Sequence, residues 1–369
     1  MQRNDSGESM NRMMKIRPVA AAVLALAAVL LSGCAGGAPN FSWAGLAVKG
    51  DTAFVAHNYF VSALRIDTGQ MVWKYPAEAD RAVTYYSDPL VDSGGNLVVG
   101  AYNGSVVKLN ADTGMKIWAT EGDGQKIIGP VAEGPDGDYY ASSESGELLV
   151  IDSEAGTILR RIALGKLSTW GRMAVNGEKI YIATIEHKVV AVNAIEGTID
   201  WTTDTGAAIA GGVNLVDGKL VVGTFADKVF ALDPQGGAVL WETPTDGWVW
   251  QAPVISDSTL YATDLGGVLR ALALEDGSPL WTVKLTAPAQ AGPAVDGDTV
   301  FAGESKGMVR AFSAADGAQQ WEAQLEGGVH GELLAVGGKL LVVVANAKYT
   351  LAALNAESGA VLWTYTEPS

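Results

Sequence analysis

One cysteine, Cys34, occurs in 369 residues. An internal disulfide, a CxxC redox pair and any cysteine-built zinc or iron–sulfur centre are therefore excluded within one copy of the chain. Histidine is almost as scarce. His57, His187 and His330 lie far apart, with no Cys or Asp at ligand spacing beside them, so a zinc site or a Ser-His-Asp triad would have to be assembled wholly by folding. No metal ligand set is expected. Bases are in short supply too, 25 Lys and Arg against 41 Asp and Glu for a net charge of −16. Such a field repels the phosphates of nucleic acid and the head groups of anionic lipids, and nucleic acid is not expected as a partner. The longest apolar run, Val19 to Leu31, has thirteen residues, fewer than the roughly 20 a helix needs to span a bilayer.

That short run has another use. Arg12, Lys15 and Arg17 precede Pro18 and the apolar stretch, the charged and hydrophobic regions of an export signal. It ends in Leu31-Ser32-Gly33-Cys34, which looks like a bacterial lipobox. Residues 1–33 are read as a lipoprotein signal peptide, Cys34 as the lipidated residue that holds the chain to the membrane, and 34–40 as a short linker. Ala35 rather than Asp follows the cysteine, which by resemblance to the lipoproteins of cells with two membranes implies that outer-membrane sorting, facing the periplasm, is permitted. In a cell with one membrane the same anchor places the protein on its outer face.

Residues 41–369 are a repeat array. An apolar run, then Asp or Asn, a short turn ending in Gly, three residues and, in seven copies, a Trp occurs eight times, from Ala63-Leu-Arg-Ile-Asp-Thr-Gly-Gln-Met-Val-Trp73 to Ala353-Leu-Asn-Ala-Glu-Ser-Gly-Ala-Val-Leu-Trp363. The turn glycines, Gly69, Gly114, Gly156, Gly197, Gly237, Gly277, Gly317 and Gly359, are 40 to 45 residues apart. Each unit holds four short β-type runs, for example Val249–Ile255, Thr259–Thr263, Val268–Leu274 and Pro279–Leu285, with turn signals between them and no room for a helix. The paired glycines Gly94-Gly95, Gly236-Gly237 and Gly266-Gly267 fall between such runs, so they read as turns and not as phosphate cradles. Radial repetition of four-stranded antiparallel sheets is a β-propeller. The chain is therefore read as all-β, an eight-bladed β-propeller of four-stranded antiparallel blades, preceded by a lipoprotein signal peptide. Gly supplies positive φ in the hairpin turn. The large flat rings of Trp73, Trp118, Trp201, Trp241, Trp281, Trp321 and Trp363 are expected to dock on the neighbouring blade's turn. The third copy has Arg160 in that place, so that blade is expected to be looser or to expose a groove. No blade visibly borrows a strand across the ring, which leaves ring closure open.

This repeat, as in Val107-Lys-Leu-Asn-Ala-Asp-Thr-Gly-Met-Lys-Ile-Trp118, resembles the Ala-x-Asp-x-x-Thr-Gly-x-x-x-Trp docking motif of the PQQ-type quinoprotein propellers, and the repeats cover about nine-tenths of the chain. Within that superfamily, a lipobox followed by eight blades is similar to the BamB family, lipoproteins of the β-barrel assembly machinery in outer membranes. The resemblance implies a non-catalytic, lipid-anchored scaffold that is a monomer outside its complex. It also implies a protein partner in the cell envelope, a β-barrel assembly protein. Quinoprotein alcohol dehydrogenases are similar in repeat but much longer, with an adjacent Cys pair, a calcium site and a catalytic Asp. No Asp-x-Asp-x-Asp-Gly calcium loop is present here, and Asp136-Gly-Asp138 reads as a hairpin turn, so neither PQQ nor another cofactor is expected.

One asymmetry survives alignment of the blades on Leu46, Pro89, Pro130, Met173, Val213, Pro253, Pro293 and Leu333. Three residues earlier stand Trp43, Tyr86, Ile127, Trp170, Ala210, Trp250, Gln290 and His330. The segment leading into an innermost strand faces one mouth of the central channel, where loops carry binding function. Trp43, Tyr86, Trp170, Trp250 and His330, with Arg172, Gln251 and Glu332 as polar neighbours, therefore form a candidate binding mouth. The competing reading is that these rings plug the channel or pack between blades. If the mouth is functional, an extended peptide segment or an apolar ligand would stack there. Three functions follow in order: the envelope scaffold, a ligand-binding or sensory propeller, and last a divergent PQQ-dependent enzyme.

Overall fold

A computed structural model describes residues 44–367; the signal segment, Cys34, the linker and Trp43 lie outside the described residues. The strands form eight four-stranded antiparallel sheets, each contiguous in sequence and each running in chain order from its first strand to its fourth. The blades span 45–75, 90–119, 132–163, 174–204, 214–244, 254–284, 294–324 and 328–365. The first strand of each blade faces the axis and the fourth lies on the rim. Blade 6 shows how far the expected strands hold. Thr259–Thr263 is found as expected, Val268–Ala273 and Pro279–Lys284 each end one residue early, and the innermost strand is only Val254–Ser256. It starts after Pro253 because proline cannot donate to the ladder. Residues 249–253 instead form the connection beside the channel.

The core lies between blades. Middle strands are buried on both faces, and each apolar cluster joins two neighbours, as when Val221, Val229, Ala231 and Trp241 of blade 5 meet Leu260, Ala262 and Leu272 of blade 6. A fully buried Leu or Val side chain contributes about 1.5–3 kcal/mol. No blade could keep this stabilisation alone.

The seam between blades repeats one device. The turn glycines all have φ between 70° and 74°, a conformation other residues adopt only with strain. The preceding blade's Trp lies so close that a Cβ on Gly69, Gly114, Gly156, Gly237, Gly277, Gly317 or Gly359 would come within 2.4–2.7 Å of its ring. The indole Nε1–H then donates to a carbonyl of the same neighbour, at 2.9–3.2 Å, from Trp73 to Ala111 through Trp321 to Ala356. A β-bulge in every fourth strand sets this up. In blade 6 the register passes from Ala271↔Trp281 to Leu272↔Pro279, leaving Leu280 unpaired and exposed. In six blades the residue opposite the Trp is Ala, small enough to seat a flat ring.

Blade 3 departs from the expectation of a loose or grooved seam. Arg160 occupies the Trp register opposite Val150 and lies against Gly197. Its guanidinium donates to the Ile195 carbonyl at 2.8 Å and to that of Ala194. A planar fork with five N–H groups replaces one indole N–H, and the seam is polar but closed.

The ring closes without a borrowed strand. Trp363 of blade 8 donates to the Ile66 carbonyl of blade 1 at 3.0 Å and covers Gly69. Tyr365 hydrogen-bonds Ser62 at 3.0 Å, and Glu367 accepts from Asn58 at 3.0 Å and meets His57 Nδ1 at 2.7 Å. Apolar residues of both blades form one cluster there. Trp363→Ala is therefore expected to cost about 3–5 kcal/mol, no less than Trp241→Ala at an internal seam. Thermal melting of both variants checks this, and a drop at Trp363 much smaller than at Trp241 would mean that closure is carried elsewhere.

Candidate binding mouth at the central channel

Around the channel the connections between blades run shoulder to shoulder. A Cβ on Gly171 would lie 2.0 Å from the Gly212 nitrogen and one on Gly211 2.1 Å from that of Ala252, while Val213 N–H donates to the Arg172 carbonyl at 3.1 Å. Only small residues permit such backbone contact. The position just before the aligned start of each inner strand reads Gly45, Asp88, Gly129, Arg172, Gly212, Ala252, Gly292 and Glu332. Five blades have Gly or Ala there, and a Cβ on Gly45, Gly129 or Gly212 would come within 2.2–2.8 Å of a neighbouring connection's backbone; the other three carry a charge.

Two of those charges meet. Arg172 donates to Glu332, and because blades 4 and 8 are half of an eight-blade ring apart, this ion pair crosses the channel. Arg172 keeps 46% of its side-chain surface open to the channel and Glu332 20%. Asp88 projects from blade 2, a quarter-turn from each, and accepts the Leu46 N–H at 3.2 Å. Burial, then the neighbouring Glu332, push its carboxyl up to about 7, only partly offset by Arg172 and by the Leu46 hydrogen bond. Beside the bar is a cavity of about 90 Å³ lined by Arg172, Gln251, Glu332 and Asn214 among others. The three polar residues expected at the mouth thus come together.

The aromatic residues do not form one continuous rim. Tyr86 packs edge-on against Tyr102 at 4.7 Å and His57 at 6.3 Å, and donates to Asn58 Oδ1 at 3.3 Å. Burial, with Tyr86 and Glu144 adding to it, pushes the Tyr102 hydroxyl up to about 12. Trp250 is only 6% exposed. It stacks at 5.0 Å on Phe225, whose other face carries Trp248 at 4.8 Å. Trp170 is half-buried. His330 is half-buried with Nδ1 2.8 Å from Gln290 Oε1, and burial lowers its pKa, which keeps the ring neutral at pH 7. Asp88, Tyr102, Phe225 and Trp248 are the residues that reading the aromatic column missed. Asp88 was visible two columns further on, in register with Arg172 and Glu332.

Loops on this face are locked by buried ion pairs in blades 6 and 7. Arg270 bonds Asp264, and Asp246 at 3.0 Å. Forty residues on, Arg310 bonds Glu304, and Glu322 at 3.1 Å. The carboxylates also take N–H groups of the incoming connections, Asp246 to Asp264 at 3.1 Å and Ala287 to Glu304 at 2.6 Å. Asp264 and Glu304 are fully buried. Among the described residues no three His, Cys, Asp or Glu side chains come together as a metal-holding group.

These features define a class, the eight-bladed propeller joined by indole-on-glycine docking, with a channel mouth barred by side chains. The sequence matches the family model of outer membrane protein assembly factor BamB over residues 38–184, 186–289 and 265–369, and the chain belongs to that family. Solved structures agree on the fold. BamB from Moraxella catarrhalis has a TM-score of 0.70 at 17% identity, over 84% of this chain and 95% of its own. The designed protein Ika8 gives 0.72 at 16%, over 85% and 96%, and a quinohemoprotein alcohol dehydrogenase from Comamonas testosteroni 0.65 at 16%, over 89% and 76%. No curated protein matches the sequence.

Removing one partner of a buried ion pair leaves the other uncompensated. Arg310→Ala is expected to cost about 3–5 kcal/mol in thermal or denaturant unfolding, and Arg310→Ala with Glu304→Ala less than either single change. Additive losses in that double-mutant cycle would show that the two groups act separately.

Proposed function

We propose that the protein is a non-catalytic scaffold, anchored at the cell envelope by lipidated Cys34, that holds a protein partner on its mouth face and serves β-barrel assembly in an outer membrane. The observation that carries this reading is the match to the BamB family over almost the whole propeller. The mouth geometry supports it. The channel itself is crossed by the Arg172–Glu332 ion pair. What the face offers instead is loop surface. The connection between the first two blades, 76–89, is the longest between blades, and its residues 77–82 are exposed.

The test is photo-crosslinking of the lipidated protein in its native envelope, with the probe at Ala79 or Arg81 on the mouth face and at Asp298 on the opposite face. The expected result is a crosslink from the first two positions to a β-barrel assembly protein, identified by mass spectrometry, and none from Asp298. Equal labelling from both faces would overturn the assignment of the face. A monomeric protein that crosslinks to nothing would overturn the scaffold reading in favour of a ligand-binding propeller.

A further inference from the structure

We propose that Asp88, Arg172 and Glu332 form a proton-operated bar across the central channel, in which protonation of Asp88 determines whether one carboxylate or two draw on the single guanidinium. The inference concerns the propeller alone and does not depend on the partner.

The geometry carries it in three parts. All three side chains leave the backbone at the same register position of blades 2, 4 and 8, while the other five blades have Gly or Ala there. They therefore share one level of the channel. Arg172 reaches across to Glu332, which commits the only cation of the set. The charged groups that face Asp88 are Glu332, on the innermost strand of blade 8, and Arg172, on the connection into blade 4; blade 1 contributes the Leu46 N–H. With Asp88 protonated the set is neutral overall, with one guanidinium, one carboxylate and one acid. Loss of the proton adds a second carboxylate beside Glu332, and the axis takes a charge of −1. The two anions then repel each other and compete for Arg172.

The sign of the linkage is set by the direction of the shift. An aspartate in the unfolded chain titrates near 3.9, whereas Asp88 in the ring is pushed up to about 7. Over that interval the folded protein binds more protons than the unfolded chain, so this group's contribution to stability is lost as pH rises from about 4 to 7 and is level above. The bar is tightest in mild acid.

The experiment is a series of thermal midpoints of the full chain between pH 4.5 and 9 for wild type, Asp88→Asn, Glu332→Gln and Arg172→Gln. The midpoint of Asp88→Asn relative to wild type should climb with pH and level off near pH 7. In Glu332→Gln the Asp88 titration should move to lower pH, and in Arg172→Gln to higher pH. A merely structural role for these residues would move the midpoints without moving the titration. Carbon-13 NMR of the Asp88 carboxyl in the wild-type protein reads the same event without any substitution. An inflection near 4, or an Asp88→Asn profile parallel to wild type, would overturn the proposal.

Discussion

The whole ring depends on the contact of an indole with a glycine. A blade of four short strands has two apolar faces and no partner of its own, so it is stable only against its neighbours. The Trp on the rim strand spans the wedge-shaped gap, its N–H fixes the distance to the next blade, and the glycine turn lets the ring approach within contact of the backbone. Because the device is identical at seven seams, the blades are set at nearly equal intervals. That even spacing brings the connections between blades into close order around the axis.

The mouth follows from this spacing. Once the connections are packed backbone to backbone, most blades can carry only Gly or Ala at the position before the inner strand core. Asp88, Arg172 and Glu332 fill the axis from three directions. On the same face Tyr86 packs with Tyr102, and Trp250 with Phe225. Buried arginine–carboxylate pairs hold the loops of blades 6 and 7 in place. The face is firmly built, and its longest connection between blades is 76–89.

Much of this was legible in the sequence. The period, the blade number, the strands and the role of the tryptophans are written in local spacing, because turn chemistry and the two-residue alternation of strands act over a few residues. Arg160 was misleading for a physical reason. Docking needs a flat group and an N–H donor at that register, and a guanidinium meets both requirements although it shares no apolar character with an indole. The innermost strand of blade 6 was read too long because Pro253 lies in a run that is otherwise apolar apart from Gln251. The stack of Trp248, Phe225 and Trp250 was out of reach, since it joins a hairpin loop to a connection more than twenty residues away. Asp88 lay in plain register, but a column of mixed charges and glycines has meaning only once the column is known to face the axis.

The manner of ring closure has a consequence for how such a molecule can be rearranged. In a propeller that shares a strand between its ends, the chain must break at one particular blade. Here every sheet is complete within its own stretch of sequence, and the gap between blades 8 and 1 is bridged by the same side-chain docking as the others. The position of the chain break is therefore arbitrary as far as the sheets are concerned. A circular permutant opened at any connection between blades keeps all eight sheets whole, and duplicating or deleting one unit of about forty residues changes the ring's size without orphaning a strand.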